Sequence, residues 1–429
     1  MIHIIGLGVT EKAELSELAK ASLLTSSWVI GSERQLAVIE DLLPETINQK
    51  VLPPLQDLSV WLADKCAESI TVLASGDPLY YGIGRWFTKH YASDNLRFYP
   101  AVSSIQAACH ELGLALQDVD VLSLHGRPLS QIRKIIKPSQ NLLILSDKNS
   151  VPQALAQVCT HTGFIDASIT VLEKLGYADQ KITVFNVNEL ADSKQVFDPL
   201  HISVIKTDLT GVTFLPSFPG IGDEHFVTDM AALSNTIDSN KPNKAMISKR
   251  EVRLAILSLM QANNADIIWD IGAGCGSVTV ELAYWNKQVQ VNAIEHNAQR
   301  LECLRQNLER FGVVSQVSVV EGSAPDKLVD LPTPTKVFIG GSDGRLSEVL
   351  ANVWQRLPVN GMLVASAVTE TSKQHLISFL QSHQDDCDYE TLQIAVSKGS
   401  QLAGQLLYRP SLPVTLFKFS KINAGAVTI

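Results

Sequence analysis

The sequence lacks the features that define several large classes of protein. Its six cysteines are scattered and form no Cys-x-x-Cys pair, so neither a zinc site nor a disulfide framework is expected. Its ten histidines show no metal-ligand spacing. We therefore expect reduced thiols and no protein-bound metal ion.

Basic residues and long apolar runs are also scarce. The chain has 35 Lys and Arg against 44 Asp and Glu, a balance that disfavours a general nucleic-acid binder. No apolar run reaches the roughly 18 residues of a membrane span, and the first residues carry no leader-type basic region. These absences predict a cytoplasmic protein that binds neither nucleic acid nor membrane. A length of 429 residues predicts two domains of roughly 200 residues each.

The most informative stretch is the apolar run and glycine cluster at residues 267–276. The run predicts a buried parallel strand, and the glycines predict a turn in which backbone can approach a ligand closely. A helical pattern follows at 278–284, and a second strand at 289–294 ends in Glu295, about twenty residues beyond the glycines. A tight turn alone would explain the glycines, but the ordered combination favours a nucleotide site in which Glu295 accepts the ribose hydroxyls.

The heptapeptide from Asp270 to Gly276 resembles the first motif of the class I S-adenosylmethionine (SAM) methyltransferases. A dinucleotide fingerprint would carry its third glycine one place later. The resemblance implies ribose binding by Glu295 and adenine contact near Ala324, with residues 337–341 opening towards the substrate. The SAM contacts that it implies in this half are Asp270, Gly272, Gly274, Gly276, Glu295 and Ala324.

The first half of the chain also alternates strand and helix, which predicts an α/β domain. A strand at 1–8 ends in Gly6-Leu7-Gly8, and a later strand runs into Gly76-Asp77-Pro78. The sequence Asp77-Pro78-Leu79-Tyr80 is similar to the Asp-Pro-Pro-Tyr of amino-group methyltransferases. That motif belongs after the fourth strand of a class I domain, so its position here rules it out.

Residues 74–82 resemble instead the signature of the tetrapyrrole (class III) methylases, and residues 4–8, 99–104 and 123–127 match their other motifs in order. The resemblance implies two α/β subdomains and a cleft lined by His125 and Arg127. Arg127 is a candidate bidentate partner for a substrate carboxylate, whereas a histidine at a strand end is more often structural. The SAM contacts implied in this half are Gly8, Gly76, Asp77, Ser103 and Ser104.

The two halves meet in a stretch rich in Pro, Gly, Asn, Asp and Ser at 209–247. We predict a first domain at 1–211, a linker or lead-in at 212–247 and a second domain at 248–429. Within the linker, residues 230–244 are interpreted as an insertion relative to fused relatives.

The segment from Ser248 to Glu251 predicts a capping box at the start of a helix. A functional alternative, in which Lys249, Arg250 or Arg253 binds substrate carboxylates, stays open. The last part of the chain predicts a strand at 362–368, a helix at 373–381 and closing antiparallel strands at 390–397 and 414–419, joined by a loop.

The combined resemblance is to the fused precorrin methyltransferases of cobalamin biosynthesis, in which a CbiE-like domain precedes a CbiT-like domain. It implies a class III tetrapyrrole methylase followed by a Rossmann-like class I SAM methyltransferase, two SAM sites, a tetrapyrrole substrate and a homo-oligomer (dimer or tetramer). The first half would methylate carbon 5, and the second would methylate carbon 15 and decarboxylate the ring C acetate. Two alternatives are a class I enzyme acting on RNA or protein, and a first half that only docks.

Overall fold

The computed structural model describes residues 1–208, 216–229 and 247–423. The chain divides into two compact units, each of which is described separately below. The first unit comprises Met1–Arg127 and Lys137–Val212, and the second comprises Pro128–Ile136 and Thr213–Ile429. Within the described residues, no helix has the length and apolar character needed to cross a membrane.

The first unit contains two five-stranded sheets in its described residues. The first sheet is wholly parallel and has the spatial order β3-β2-β4-β1-β5. Its strands are β1 (Ile2–Gly6), β2 (Trp28–Gly31), β3 (Asn48–Val51), β4 (Ile70–Ala74) and β5 (Leu96–Tyr99). The second sheet is mixed, with the order β6-β7-β10-β8-β9. Its strands are β6 (Val119–Ser123), β7 (Asn141–Leu145), β8 (Ser168–Glu173), β9 (Lys181–Asn186) and β10 (His201–Lys206).

Helices cover these two sheets. Those of the first unit are Glu17–Leu24, Glu33–Val38, Leu55–Asp64, Gly84–His90, Ser104–Leu112, Pro152–His161 and Val187–Ala191. The central strands β1 and β4 are buried almost throughout, as expected of parallel strands covered on both faces. The two-subdomain α/β architecture predicted for this half is confirmed.

The second unit is built on one sheet of seven strands, with a separate hairpin. The sheet order is β13-β12-β11-β14-β15-β19-β16. The strands of the unit are β11 (Ile267–Ile271), β12 (Gln290–Glu295), β13 (Val317–Glu321), β14 (Lys336–Ile339), β15 (Met362–Ala367), β16 (Cys387–Ile394), β17 (Ser397–Leu402), β18 (Gln405–Pro410) and β19 (Val414–Lys421). The first five strands of the sheet are parallel, and β19 runs antiparallel to both of its neighbours. This doubly wound order confirms the Rossmann-like prediction.

Alternation along β11 divides the core of the second unit into two layers. Ile268 packs with the helices Arg250–Met260 and Ser277–Trp285, whereas the next residue, Trp269, packs on the opposite face of the sheet. The other helices of this unit are Ile132–Ile135, Ala298–Arg310, Leu346–Arg356 and Glu370–Ser382. The sheet is therefore covered on both faces, and ligand access is left to the loops at its strand ends.

The predicted loop between the closing strands is in fact the hairpin β17–β18. Its two-residue turn, Ala403-Gly404, has positive φ at both positions (48° and 81°). That geometry matches a type I′ hairpin turn, for which Asn-Gly is the usual signal. Since Ala-Gly is not a typical turn sequence, the pattern gave no hairpin signal.

The predicted capping box at Ser248 is wrong. The helix begins at Arg250, and its N-cap is Lys249, which makes no side-chain cap hydrogen bond. The carbonyl of Ser248 instead accepts a hydrogen bond from the guanidinium of Arg253. The Arg253 side chain, which is fully buried, thus contacts the backbone that precedes the helix.

Part of the predicted linker packs with the second unit. Ile221 and Phe226 are buried in its core, and the amides of Gly220 and Ile221 donate to the Glu281 carboxylate. The proposed insertion at 230–244 lies outside the described residues. The boundary between the two domains stays a prediction.

Candidate active sites

The glycine turn after β11 forms the floor of a cleft in the second unit. Gly272 has a φ of 71°, and a Cβ added to it would lie 2.6 Å from the backbone nitrogen of Gly341. The amide of Gly340 donates to the carbonyl of Ile271 at 2.8 Å. The loops after β11 and β14 therefore touch, at the point where the strand order reverses and doubly wound sheets bind ligands.

The carboxylate of Glu295 joins this turn to the second strand. One oxygen, Oε2, accepts a hydrogen bond from the Gly274 amide at 2.9 Å. The other, Oε1, accepts from the amides of His296 and Asn297 at 3.0 and 2.9 Å. A carboxylate has about four acceptor positions, so one stays available for a ligand hydroxyl.

Only some of the residues predicted to contact SAM line the cleft. Gly272, Glu295 and Ala324, three of the residues predicted to contact SAM, line it. It is bounded by Ile271, Gly272, Ile294, Glu295, His296, Gly322, Ser323, Ala324, Gly341, Ser342 and Asp343. Asp270, Gly274 and Gly276 are not among its lining residues. A Cβ on Gly276 would lie 2.2 Å from Leu304 Cδ1, so this glycine serves close helix packing.

His296 and Asp343 were not anticipated as a pair. The His296 Nδ1 atom lies 3.0 Å from a carboxylate oxygen of Asp343 at the rim of the cleft. These residues follow β12 and β14, which lie on either side of β11 in the sheet. No local pattern in the sequence predicts their contact, because it depends on the strand order.

Asp270 is a buried carboxyl group behind the glycine turn. It is 1 % exposed, its Oδ2 atom accepts a hydrogen bond from the Thr279 hydroxyl, and Oδ1 has no partner among the described residues. Burial, reinforced by the nearby charge of Glu295, raises the pKa of Asp270 to about 7. Asp270 therefore lies behind the turn and is not among the residues that line the cleft, and its contact with SAM stays a prediction.

We expect Asp270→Asn to weaken the pH dependence of stability. Because the folded protein holds this proton more tightly than the unfolded chain, stability is highest below the ordinary aspartate pKa. It falls as the pH rises towards 7. The loss in the free energy of unfolding is on the order of 4 kcal/mol. Asparagine cannot ionise, so this loss is absent from the variant. Urea denaturation of the parent protein and of the variant at about pH 5 and about pH 8 tests this expectation. An equal change in the free energy of unfolding between the two pH values in both proteins would contradict it.

In the first unit, the loops after β1 and β4 and the loop after β5 converge. The Gly76 amide donates to the Gly8 carbonyl at 3.3 Å, and both glycines have positive φ (66° and 74°). A Cβ on Gly76 would lie 3.1 Å from the Cα of Ser103, and one on Gly6 would lie 2.5 Å from the Gly76 oxygen. The three motifs read from the sequence therefore meet at one end of the parallel sheet.

Two of the predicted contact residues, Asp77 and Ser103, form local structure. The Asp77 Oδ1 atom accepts hydrogen bonds from the amides of Leu79 and Tyr80 at 2.8 and 3.0 Å, as in an Asx turn. Ser103 is the N-cap of the helix Ser104–Leu112 and forms a capping box with Gln106. Both side chains hold the loops that surround the site.

A cavity of about 120 Å³ lies beside these loops. Its lining residues are Val9, Thr10, Arg34, Ser75, Gly76, Ser104, Leu172, Leu175, Tyr177, Leu200, His201 and Ile202. Of the predicted residues, Gly76 and Ser104 line it. Gly8, Asp77 and Ser103 do not, although Val9 follows Gly8 directly. No sequence motif pointed to Arg34, Tyr177 or His201, which come from distant parts of the chain.

Arg127 is not among the residues that line this cavity. Its Nη1 atom donates to the carbonyl of Ser123 at 3.2 Å, and both Arg127 and His125 are exposed. A role for Arg127 in substrate binding stays a prediction.

Comparison with known families agrees with this architecture. Residues 1–191 match the family model of the tetrapyrrole (corrin/porphyrin) methylases, and residues 242–421 match that of the precorrin methyltransferase domain. The fold and the two families together define a tetrapyrrole methyltransferase.

Relatives similar over the whole chain narrow the class. A precorrin-6Y C(5,15)-methyltransferase (decarboxylating) of Sinorhizobium sp is 31% identical over 98% of this chain and 96% of its own length. A protein of the same name from Mycobacterium tuberculosis (strain CDC 1551 / Oshkosh) is 30% identical over 98% of this chain and 100% of its own. A probable cobalt-precorrin-6B C(15)-methyltransferase (decarboxylating) of Pyrobaculum calidifontis is 30% identical, covering 43% of this chain and 86% of its own. The chain belongs to the precorrin-6Y C(5,15)-methyltransferase (decarboxylating) family, whose members are SAM-dependent enzymes of cobalamin biosynthesis.

Proposed function

We propose that this chain methylates carbons 5 and 15 of a precorrin macrocycle and removes carbon dioxide from the ring C acetate, using one SAM site in each unit. The first unit acts at carbon 5, and the second acts at carbon 15 and in the decarboxylation. The observation that carries the proposal is full-length similarity to enzymes of that name, on a chain with a cavity or cleft at the loop end of the parallel sheet in each unit.

The second cleft suits SAM because its floor is bare backbone. Gly272 leaves room where any side chain would meet Gly341, and Glu295 has one acceptor position left for a ribose hydroxyl. Ala324 lies on the same cleft, where the adenine is expected. SAM supplies a methyl group that is already activated, so the protein mainly has to align the carbon nucleophile with it.

The macrocycle itself supplies most of the remaining chemistry. Its enamine-like pyrrole nitrogens make the ring carbons nucleophilic, and its conjugated system accepts the electrons that remain when carbon dioxide leaves. The protein therefore has to orient the ring and exclude water, without a separate electron sink. The absence of a serine, histidine and aspartate triad from the sequence motifs accords with this division of work.

Two alternatives are less well supported. RNA as the substrate would call for a concentrated basic surface, whereas the chain carries a formal net charge of −9. A first unit that only docks would not need the cavity bounded by Gly76 and Ser104.

Isothermal titration calorimetry with SAM separates these cases: two molecules bound per chain are expected, and a single molecule would contradict the two-site proposal.

We further assign the chain to a homo-oligomer, a dimer or tetramer, in the cytoplasm. All six cysteines are free thiols, as a reducing compartment requires. Within the described residues the β17–β18 hairpin pairs with no other strand and carries large exposed apolar side chains at Leu402, Leu406 and Tyr408, each 56 % to 67 % exposed. An exposed apolar hairpin of this kind is suited to contact with a second copy of the chain.

We expect the double variant Leu406→Glu/Tyr408→Glu to lower the oligomeric state, because it places charge on the apolar hairpin. Light scattering coupled to size-exclusion chromatography would report a smaller assembly. Val60→Glu is the matched control, since Val60 is an exposed apolar residue on a helix of the first unit. A monomeric parent protein, or an unchanged mass in the double variant, would refute the assignment.

A further inference from the structure

We infer that Arg34 forms a carboxylate-binding subsite in the cavity of the first unit. Arg34 stands second in the short helix Glu33–Val38, which follows β2 directly, and it lines the cavity beside Ser75 and Gly76. A basic side chain in the first turn does not favour a helix. Helix stability therefore gives no reason for an arginine here.

Neutral hydroxyl groups hold the guanidinium in place. Nη1 donates to the Tyr177 hydroxyl at 3.2 Å, and Nη2 donates to the Ser75 hydroxyl at 2.8 Å. The Ser75 oxygen also accepts from the Gln35 side-chain amide at 2.9 Å, which fixes its position. The helix that carries Arg34 and the two loops that contain Ser75 and Tyr177 therefore position the guanidinium together.

The charge of Arg34 has no anionic partner among the described residues. No ion pair within 4.0 Å between residues that the structure describes includes Arg34. The two acids nearest in sequence to Tyr177 and His201, Asp179 and Asp198, pair with Lys174 instead. A guanidinium has five N–H donors, of which two are used, so three are left for a ligand.

The surroundings suit a carboxylate in particular. The guanidinium fork matches the two oxygens of a carboxylate and binds them bidentately. Leu172, Leu175 and Ile202 contribute apolar surface to the same cavity, against which the rest of a ligand can pack.

His201 adds a second unpaired polar atom to this wall. Its Nδ1 atom donates to the carbonyl of Asp198 at 2.7 Å, because a carbonyl oxygen can only accept. Nε2 is buried and has no hydrogen-bond partner within the described part of the chain. The cavity thus presents a cation and a second polar group, which fits a ligand with a carboxylate next to another polar group.

Two ligands of the proposed reaction carry a carboxylate: SAM, at its amino-acid end, and the macrocycle, on its acidic side chains. The subsite rests on the proposed function for the identity of its ligand. Arg34→Gln removes the charge in either case, and Arg34→Lys keeps the charge but not the fork.

The test uses the full chain with the second-unit site removed by Gly272→Val. Calorimetry with S-adenosylhomocysteine and with 5′-methylthioadenosine, which lacks the amino-acid end, gives the two affinities at the remaining site. If SAM is the ligand, Arg34→Gln weakens S-adenosylhomocysteine binding by roughly 10- to 100-fold and leaves 5′-methylthioadenosine unchanged. Arg34→Lys should recover part of this loss.

If the macrocycle is the ligand, both nucleoside affinities are unchanged. The KM for carbon 5 methylation, measured with the second unit intact, then rises by roughly tenfold or more in Arg34→Gln. Arg97→Gln is the matched control, because Arg97 is an exposed arginine on β5 that does not line the cavity. Circular dichroism melting confirms that each variant is folded.

Unchanged affinities and unchanged KM in Arg34→Gln would overturn the subsite while leaving the proposed function intact. Failure of the parent chain to bind S-adenosylhomocysteine at its first unit would overturn the proposed function, and the subsite with it.

Discussion

Gly272→Val is expected to abolish SAM binding in the second unit and to leave the first-unit site intact. Its Cβ would lie 2.6 Å from the Gly341 nitrogen and 2.7 Å from the Gly341 oxygen, and a β-branched residue is strained at a φ of 71°. Since the clash falls on the floor of the cleft, the loops after β11 and β14 must separate. We expect SAM binding there to weaken at least 100-fold, or about 3 kcal/mol. Calorimetry would then count one bound molecule per chain.

Gly113→Val controls for backbone strain in this experiment. Gly113 also has a positive φ (63°), but a Cβ there would meet nothing within 4 Å. This variant should lose some stability and still bind SAM at both sites. Two full-affinity sites in Gly272→Val would show that the cleft between these loops does not hold SAM.

Arg253→Met is expected to destabilise the second unit by roughly 3–5 kcal/mol. The side chains of Arg253 and Glu281 are both 0% exposed, and Nε lies 2.6 Å from Oε1. Arg253 also bonds to Asp223, at 3.1 Å, and to the Ile221 carbonyl. Removing the cation leaves the Glu281 charge buried without its partner, which costs far more than a surface ion pair.

Urea denaturation monitored for the second unit measures this effect. Arg250→Met is the matched control, because Arg250 is exposed on the same helix and its loss should change stability by less than about 0.5 kcal/mol. Arg253→Met/Glu281→Gln should recover part of the loss by removing the orphaned charge. Equal stabilities for Arg253→Met and Arg250→Met would contradict a structural role and return Arg253 to the candidates for substrate binding.

The fate of Arg253 illustrates what local sequence can and cannot predict. The run Ser248 to Glu251 fits a capping box, and the basic residues nearby fit a carboxylate clamp. Neither pattern contains information on Glu281, which lies 28 positions away from Arg253 and turns this arginine into a buried partner. A basic residue on a helix can be predicted to be exposed only if no acidic side chain from another helix or strand pairs with it.

The fold was predictable to a much larger extent, because hydrophobic periodicity is local. The run before Asp270 and the strand ending at Glu295 became β11 and β12 within a residue or two of the predicted limits. The hairpin β17–β18 was missed because β17 is largely polar and because the Ala-Gly turn is unusual.

The candidate sites were predictable only where a short motif carries them. Gly272, Gly76 and Glu295 belong to such motifs, and the structure brings each to a cavity wall or to the loops that surround it. Arg34, in the helix after β2, and His201, on β10, line one cavity although β2 and β10 belong to different sheets. Without the strand order, neither residue differs from many others of its type.

Mass spectrometry of the product tests the central claim most directly. The full chain is incubated with SAM and the reduced macrocycle, supplied in metal-free and in cobalt-bearing form. We expect a gain of two methyl groups and the loss of one molecule of carbon dioxide from the form that is the true substrate. No change in the mass of either form, in a protein that binds SAM, would contradict the assignment.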